Sequence, residues 1–135
     1  MNNTVSPRTF VALGLGLWLT SPAAAQGLHA VRPLPGYSCM SLNLTEDQVR
    51  DFSALPPVMQ QPSPTAPKLG VAGAIVMTVN PARVANGYIA VLMPDGRSGW
   101  VQVDKLRPYR NPTNPAVRCV PSMMANGRPG FAFPQ

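Results

Sequence analysis

Apolar and polar positions alternate along residues 39–44 in the manner of a half-buried strand. Met40, Leu42 and Leu44 alternate with smaller or polar side chains, which is the two-residue period of a strand with one face in a core. Residues 73–79 form a second run, in which β-branched side chains predominate and favour a strand. We therefore expect two strands here, with the even-numbered side chains of the first facing the core.

The pattern then predicts a hairpin. Residues 88–93 and 98–103 are apolar runs separated by Pro-Asp-Gly at residues 94–96, and these three residue types suit the successive positions of a tight turn. In the second run Trp100 and Val101 point to opposite faces, because neighbouring side chains alternate in a strand. The segment after this run suits a single helical turn.

A short helix is predicted between the first two strands. Thr45 and Gln48 stand at the spacing of a capping box, in which each side chain accepts a hydrogen bond from the other residue's backbone N–H. The helix should run for two to three turns, to Phe52 or Leu55, because Pro56-Pro57 ends it.

Proline sets the expected organisation of the rest of the chain. Fifteen of the 17 prolines follow residue 25, and proline opposes long helices and wide sheets because it lacks a backbone donor. We expect residues 26–37 to form an irregular lead-in and residues 58–67 to form a loop with a polyproline II bias. Residues 121–135 are expected to be a flexible tail.

The first 25 residues have the features of a secretory signal peptide. Arg8 precedes an apolar run over residues 10–19, and Ala23-Ala24-Ala25 is a small-residue cleavage site. A membrane anchor is the alternative, but the run is about half of the roughly 20 residues that span a bilayer. The predicted product begins at Gln26, does not span a membrane, and is periplasmic or secreted.

The charge of this product is moderately basic. Residues 26–135 contain ten Lys and Arg and five Asp and Glu, giving a net charge of +5, and the charges are spread thinly. Export disfavours nucleic acid as a partner. The positive charge can serve to bind an anionic cell-wall polymer or anionic lipid. The alternative is that it only keeps the protein soluble.

Cys39 and Cys119 are predicted to form a disulfide. They are the only two cysteines, and an oxidising compartment favours their pairing. The alternative is a redox pair or a catalytic thiol, but redox pairs usually have the Cys-x-x-Cys spacing. The bridge would close a loop of about 80 residues and tie the beginning of the domain to its end.

Several short motifs, in order, resemble those of bacterial SH3-like domains. They are Ser41-Leu42-Asn43-Leu44, Asn86-Gly87-Tyr88, Asp95-Gly96-Arg97 and Ser98-Gly99-Trp100-Val101. The resemblance covers about residues 39–109. It implies an all-β fold, a small SH3-like barrel of about five strands over residues 38–120. The segment 45–67 would be an insertion of a short helix and a loop.

The resemblance also implies a binding function. Members of this family often engage cell-wall material or peptides and are not in themselves catalytic. The candidate ligand-binding residues are Tyr88, Arg97, Trp100 and Tyr109, since rings stack on sugars or prolines and a guanidinium pairs with carboxylate or phosphate. Two alternatives stay open: the rings can be packed within the fold, and the protein can dock on a single envelope partner without affinity for polymer.

An enzyme is not expected. His29 is the only histidine and lies in the predicted lead-in. A Cys–His nucleophile would need His29 to reach a free thiol, whereas both cysteines are expected to be oxidised. The few carboxylates form no pair with a clear catalytic spacing, and no phosphate-binding glycine loop occurs. Met123-Met124 could contact copper(I), but adjacent methionines more often reflect packing. We expect no metal and no cofactor.

Overall fold

The computed structural model describes residues 12–16 and 28–135. Residues 12–16 have no regular secondary structure, and the rest of the predicted signal peptide, with its cleavage point, lies outside the described residues. Within the described part of the chain, no helix is long and apolar enough to cross a membrane.

The fold is all-β and antiparallel, as the sequence predicts, with one short helix. Helix α1 covers Glu46–Arg50, and single 3-10 turns cover Phe52–Ala54 and Val103–Lys105. Over residues 28–135 the strands are β1 (Ala30–Pro33), β2 (Tyr37–Leu42), β3 (Pro57–Met59), β4 (Lys68–Val71), β5 (Ile75–Val79), β6 (Val84–Ala85), β7 (Tyr88–Leu92), β8 (Ser98–Gln102), β9 (Leu106–Pro108), β10 (Val120–Met124) and β11 (Pro129–Ala132).

The larger sheet must curl on itself. Its strand order is β4-β3-β8-β7-β5-β2-β9, with β6 paired to β7, so β8 and β9 lie four strands apart. That separation would be about 19 Å in a flat sheet. The chain from Gln102 to Leu106 reaches at most about 14 Å, so the short 3-10 turn can join the two strands only if the sheet is rolled into a barrel-like form.

The concave side of this sheet holds the hydrophobic core. Val101 is completely buried, and Leu42 is nearly so. Met40 and Leu44 pack against the same cluster, which confirms that the even-numbered positions of the first strand face inward. Several strands contribute to the cluster, whose buried members are Leu42, Val58, Ala72, Val76, Ile89, Val91, Met93, Val101 and Leu106.

A second sheet joins the two ends of the described chain. Strands β1, β10 and β11 pair in the order β1-β10-β11, and the predicted disulfide between Cys39 and Cys119 is present, with 6.2 Å between the two Cα atoms. The Leu34 N–H also donates to the Pro121 carbonyl at 2.8 Å. These links attach the three-stranded sheet to strand β2 of the barrel.

The second sheet is formed by two segments that were not expected to contain strands. Residues 26–37 were expected to be irregular and residues 121–135 flexible, but the first contains β1 and the second holds most of β10 and all of β11. Two prolines, Pro33 and Pro129, occupy the ends of edge strands, where a missing N–H costs little. Pro121 lies within the central strand β10, where it pairs with Phe131, and its carbonyl accepts from the Leu34 N–H just beyond the end of β1.

The inserted segment 45–67 also contains more sheet than expected. The capping box is present, since Gln48 Oε1 accepts from the Thr45 N–H at 3.0 Å and Thr45 Oγ1 accepts from the Gln48 N–H at 3.2 Å. Helix α1 ends at Arg50, and the Asp51 carboxylate then caps the following 3-10 turn. Beyond it β3 pairs with β4 and β8, inside the region expected to be a loop.

Candidate functional site

The four residues predicted to bind a ligand do not form one site. Tyr88 is only 5% exposed, so its ring is packed within the fold, as the packing alternative stated. The other three candidates are accessible, and each has different neighbours; they are Trp100, Arg97 and Tyr109.

Trp100 belongs to a surface that we name the Trp100 face, made of Met59, Arg83, Ala90 and Trp100. Ala90 pairs with Trp100 across β7 and β8, and Met59 pairs with Trp100 from β3. The Ala90 N–H donates to the Arg83 carbonyl at 2.9 Å, so Arg83 lies on the other side of Ala90. Because Ala90 is small, the Arg83 guanidinium reaches over the Trp100 ring, 5.8 Å from its centroid, in a cation–π contact.

Arg97 lies on the turn between β7 and β8 and already has partners. Its Nε lies 2.6 Å from Asp95 Oδ2, and its Nη2 donates to the Leu69 carbonyl at 3.2 Å. The Arg97 backbone N–H and then its side chain lower the pKa of Asp95 by hydrogen bonding to the carboxylate. The Arg97 side chain therefore braces its own turn against β4.

Tyr109 lines an open groove of about 470 Å³, which lies between α1 and the C-terminal residues. We name it the α1–Phe133 groove. Its lining comes from the outer face of the barrel, from one side of α1, from residues 109–112 and from Phe133. The polar and aromatic members include Ser41, Glu46, Arg50, Arg107, Tyr109, Arg110 and Phe133, and Ile75 is one of the apolar members.

Strand register builds the floor of this groove. Ser41 of β2 pairs with Ile75 of β5 on one side and with Arg107 of β9 on the other. Paired residues project on the same face of a sheet, so the three side chains form a row across the outer face of the barrel. This row is apolar at Ile75 and polar at Ser41 and Arg107.

The long-range fold brings Phe133 to the groove. Its ring lies 6.2 Å from that of Tyr109, centroid to centroid, with an angle of 33° between the ring planes. The Arg118 N–H donates to the Pro134 carbonyl at 3.0 Å, next to the Cys119 disulfide. Phe133 is therefore positioned by the bridge and by β11, and it remains 47% exposed.

The loop beyond Arg110 is shaped by one asparagine. Asn111 Oδ1 accepts from the backbone N–H groups of Thr113 and Asn114, at 3.0 and 2.9 Å, and from the Thr113 hydroxyl. Such a side-chain turn restrains the backbone at the end of the groove where Arg110 lies.

The charge of the groove lining is positive. Arg50 lies 3.9 Å from Glu46, the acidic residue among the lining side chains. Arg107 and Arg110 are exposed and form no ion pair within residues 28–135. Two guanidinium groups therefore stand free on either side of Tyr109.

Sequence reasoning missed three members of this groove. Phe133 lay in the segment expected to be flexible, and nothing local indicates that it meets Tyr109. Arg107 and Arg110 flank Tyr109 in the printed sequence. This Arg-Pro-Tyr-Arg spacing, directly after the predicted helical turn, was the signal that could have identified them.

The described part of the chain holds no group of three or more His, Cys, Asp or Glu side chains arranged to bind a metal ion. Comparisons of the chain with protein families, with curated proteins and with solved structures found no match.

Proposed function

We propose that this chain is an exported bacterial binding module of the SH3-like type, which recognises cell-wall polymer or an envelope peptide without transforming it. It would act in the periplasm or outside the cell. The disulfide between Cys39 and Cys119 is compatible with that location, since disulfides persist in oxidising compartments.

The strand connectivity supports the SH3-like assignment. Strands β2, β5, β7 and β8 follow one another as antiparallel neighbours, and β9 returns to pair with β2 after a single 3-10 turn. The resemblance implies a barrel of about five strands of this kind. Strands β3 and β4 of the insertion then extend the β8 edge.

The observation that carries the binding function is the α1–Phe133 groove. It combines accessible aromatic rings, Tyr109 and Phe133, with guanidinium groups that the fold does not use. Ligand sites commonly combine an apolar lining with a few polar groups that fix orientation. The Trp100 face and Arg97 carry the proposal less well, because their arginines already have partners within the chain.

Sedimentation with purified insoluble cell wall tests this function. The folded protein should pellet with the wall material, and an excess of soluble wall fragments should release it. A protein that stays in the supernatant across a range of salt concentrations would contradict the polymer reading.

The second candidate is an accessory protein that docks on one envelope partner. The open edges of the larger sheet, β4 and β9, favour this reading, because edge strands offer backbone groups to another chain. It predicts no pelleting, together with one envelope protein that co-purifies in stoichiometric amount. Mutation of the β4 edge should then release that protein.

A further inference from the structure

We infer that the α1–Phe133 groove binds a polymer of acidic sugars, with ring faces on Tyr109 and Phe133 and carboxylates on Arg107 and Arg110. The inference rests on the proposed function and names the class of ligand for the same groove.

The free arginines indicate an anionic ligand. Arg107 lies on the groove floor opposite Ser41, and Arg110 lies three residues further along, beyond Tyr109. A guanidinium pairs with a carboxylate through two parallel hydrogen bonds. The acidic side chain of the lining, Glu46, lies near Arg50, so the groove has little to hold a cationic ligand.

The rings indicate a ligand with flat apolar faces as well as charge. Phe133 is about half exposed, and its ring lies tilted beside that of Tyr109. The two rings therefore present an apolar surface to solvent. The C–H face of a sugar ring can pack against such a surface while the polar groups of the sugar point outward.

The floor argues against an acyl chain as the occupant. Two of the three side chains in the row across it, Ser41 and Arg107, are polar. An acyl chain lying there would cover these groups without offering a hydrogen bond, and burying unpaired polar groups is costly. A carboxylated sugar instead supplies acceptors to both positions.

Titration calorimetry with matched polymers tests the inference. The probes are polygalacturonate, the same polymer with its carboxyl groups methyl-esterified, and polyglutamate. Polygalacturonate should bind, the ester should bind on the order of tenfold more weakly or worse, and 0.5 M NaCl should weaken the binding of the acid form. Polyglutamate should bind less well than polygalacturonate, because it lacks the ring faces.

Matched variants locate the binding. Arg107→Gln combined with Arg110→Gln should weaken polygalacturonate binding on the order of tenfold. Arg128→Gln combined with Lys68→Gln removes the same charge from exposed positions that line neither the groove nor the adjoining surface at Phe133, and it should change binding less than about twofold. Phe133→Ala should weaken the binding of both the acid and the ester.

Three results would overturn the inference: equal binding of acid and ester, equal binding of polyglutamate, or an equal loss in the two double variants. The last would mean that bulk charge alone is responsible. If the wild type pellets with cell wall and the groove variant pellets equally well, the inference fails and the proposed function stands. If polygalacturonate binds in the groove but the protein does not pellet, the cell-wall reading of the proposed function fails and the ligand class stands.

Discussion

The Trp100 face and the α1–Phe133 groove both combine arginine with aromatic rings, but the arginines next to the rings differ in whether they have a partner within the described part of the chain. Over the Trp100 face, the Arg83 guanidinium lies on the indole ring 5.8 Å from its centroid. In the groove, Arg107 and Arg110 flank the half-buried ring of Tyr109 and the exposed ring of Phe133, and they have no ion-pair partner within residues 28–135. The same combination of arginine and aromatic ring therefore stabilises the fold in one region and stays available to a ligand in the other.

The two regions also differ in how they are assembled. The Trp100 face comes from neighbouring strands of one sheet, through pairs such as Ala90 with Trp100. The groove needs a contribution from the other end of the chain, since Phe133 follows β11 and is held near Tyr109 through the disulfide-linked sheet. Changes that separate the two sheets should therefore damage the groove more than the Trp100 face.

The largest effect is expected from removing the disulfide. Cys39→Ser combined with Cys119→Ser opens a bridge with a sequence separation of 80 residues and should lower the free energy of unfolding by about 2–5 kcal/mol. Urea unfolding measures this loss. In NMR spectra the ring signals of Phe133 and Tyr109 should move toward solvent-exposed values, while the Trp100 indole signal should change less. An unchanged unfolding midpoint, or a larger change at Trp100, would contradict the account.

The next largest effect is expected from a substitution beside the Trp100 face, which should disturb that face and leave the groove unchanged. A Cβ at Gly99 would meet the Val58 side chain and lie 3.2 Å from the Met59 carbonyl oxygen, so Gly99→Ala must displace the Val58 side chain or shift β3 relative to β8. We expect a loss of about 1–3 kcal/mol in the free energy of unfolding, with the groove intact. Gly73→Ala is the matched control, because its Cβ would meet only the Ile75 carbonyl oxygen, at 3.8 Å. Equal losses in the two variants would show that the close approach at Gly99 is unimportant.

A smaller effect is expected at the helical wall of the groove. Thr45→Ala removes the hydroxyl that accepts from the Gln48 N–H and should cost about 1 kcal/mol of stability. Hydrogen exchange should rise over α1, and polymer binding in the groove should weaken. Thr45→Ser keeps the accepting oxygen and should restore most of both properties. A serine variant that behaves like the alanine variant would argue against the capping role.

The smallest effect concerns Arg83. Arg83→Gln removes the cation above the Trp100 ring and should lower the free energy of unfolding by about 0.5–1 kcal/mol. The Trp100 indole N–H signal should shift, and binding of polygalacturonate should stay unchanged. A loss of binding comparable with that of the Arg107 and Arg110 double variant would place the ligand on the Trp100 face instead.

Local sequence patterns predicted much of the barrel. The alternation around Leu42 placed its side chain in the core, and the Pro-Asp-Gly turn joins β7 to β8 with Gly96 at a φ of 87°. The capping box at Thr45 and the pairing of Cys39 with Cys119 also agree with the sequence-based expectation. Each of these features depends on a short run of residues, or on there being only two cysteines.

Long-range pairing was not predictable in the same way. Strand β1 pairs with β10 across most of the chain, for example Arg32 with Met123, and the proline content of both ends disguised them as irregular segments. The groove depends on this pairing, so Phe133 could not be placed beside Tyr109 from sequence. For Trp100, the pattern indicated a face of the strand but not that Arg83 would cover the ring.

The most direct test of the account is an NMR footprint of the bound polymer on the wild-type protein. Titration with polygalacturonate should shift and broaden backbone amide signals of residues 107–111 and 131–133, and leave those of residues 58–60 and 98–102 nearly unchanged. Changes concentrated on residues 58–60 and 98–102, with none near Phe133, would contradict the claim that the α1–Phe133 groove holds the ligand.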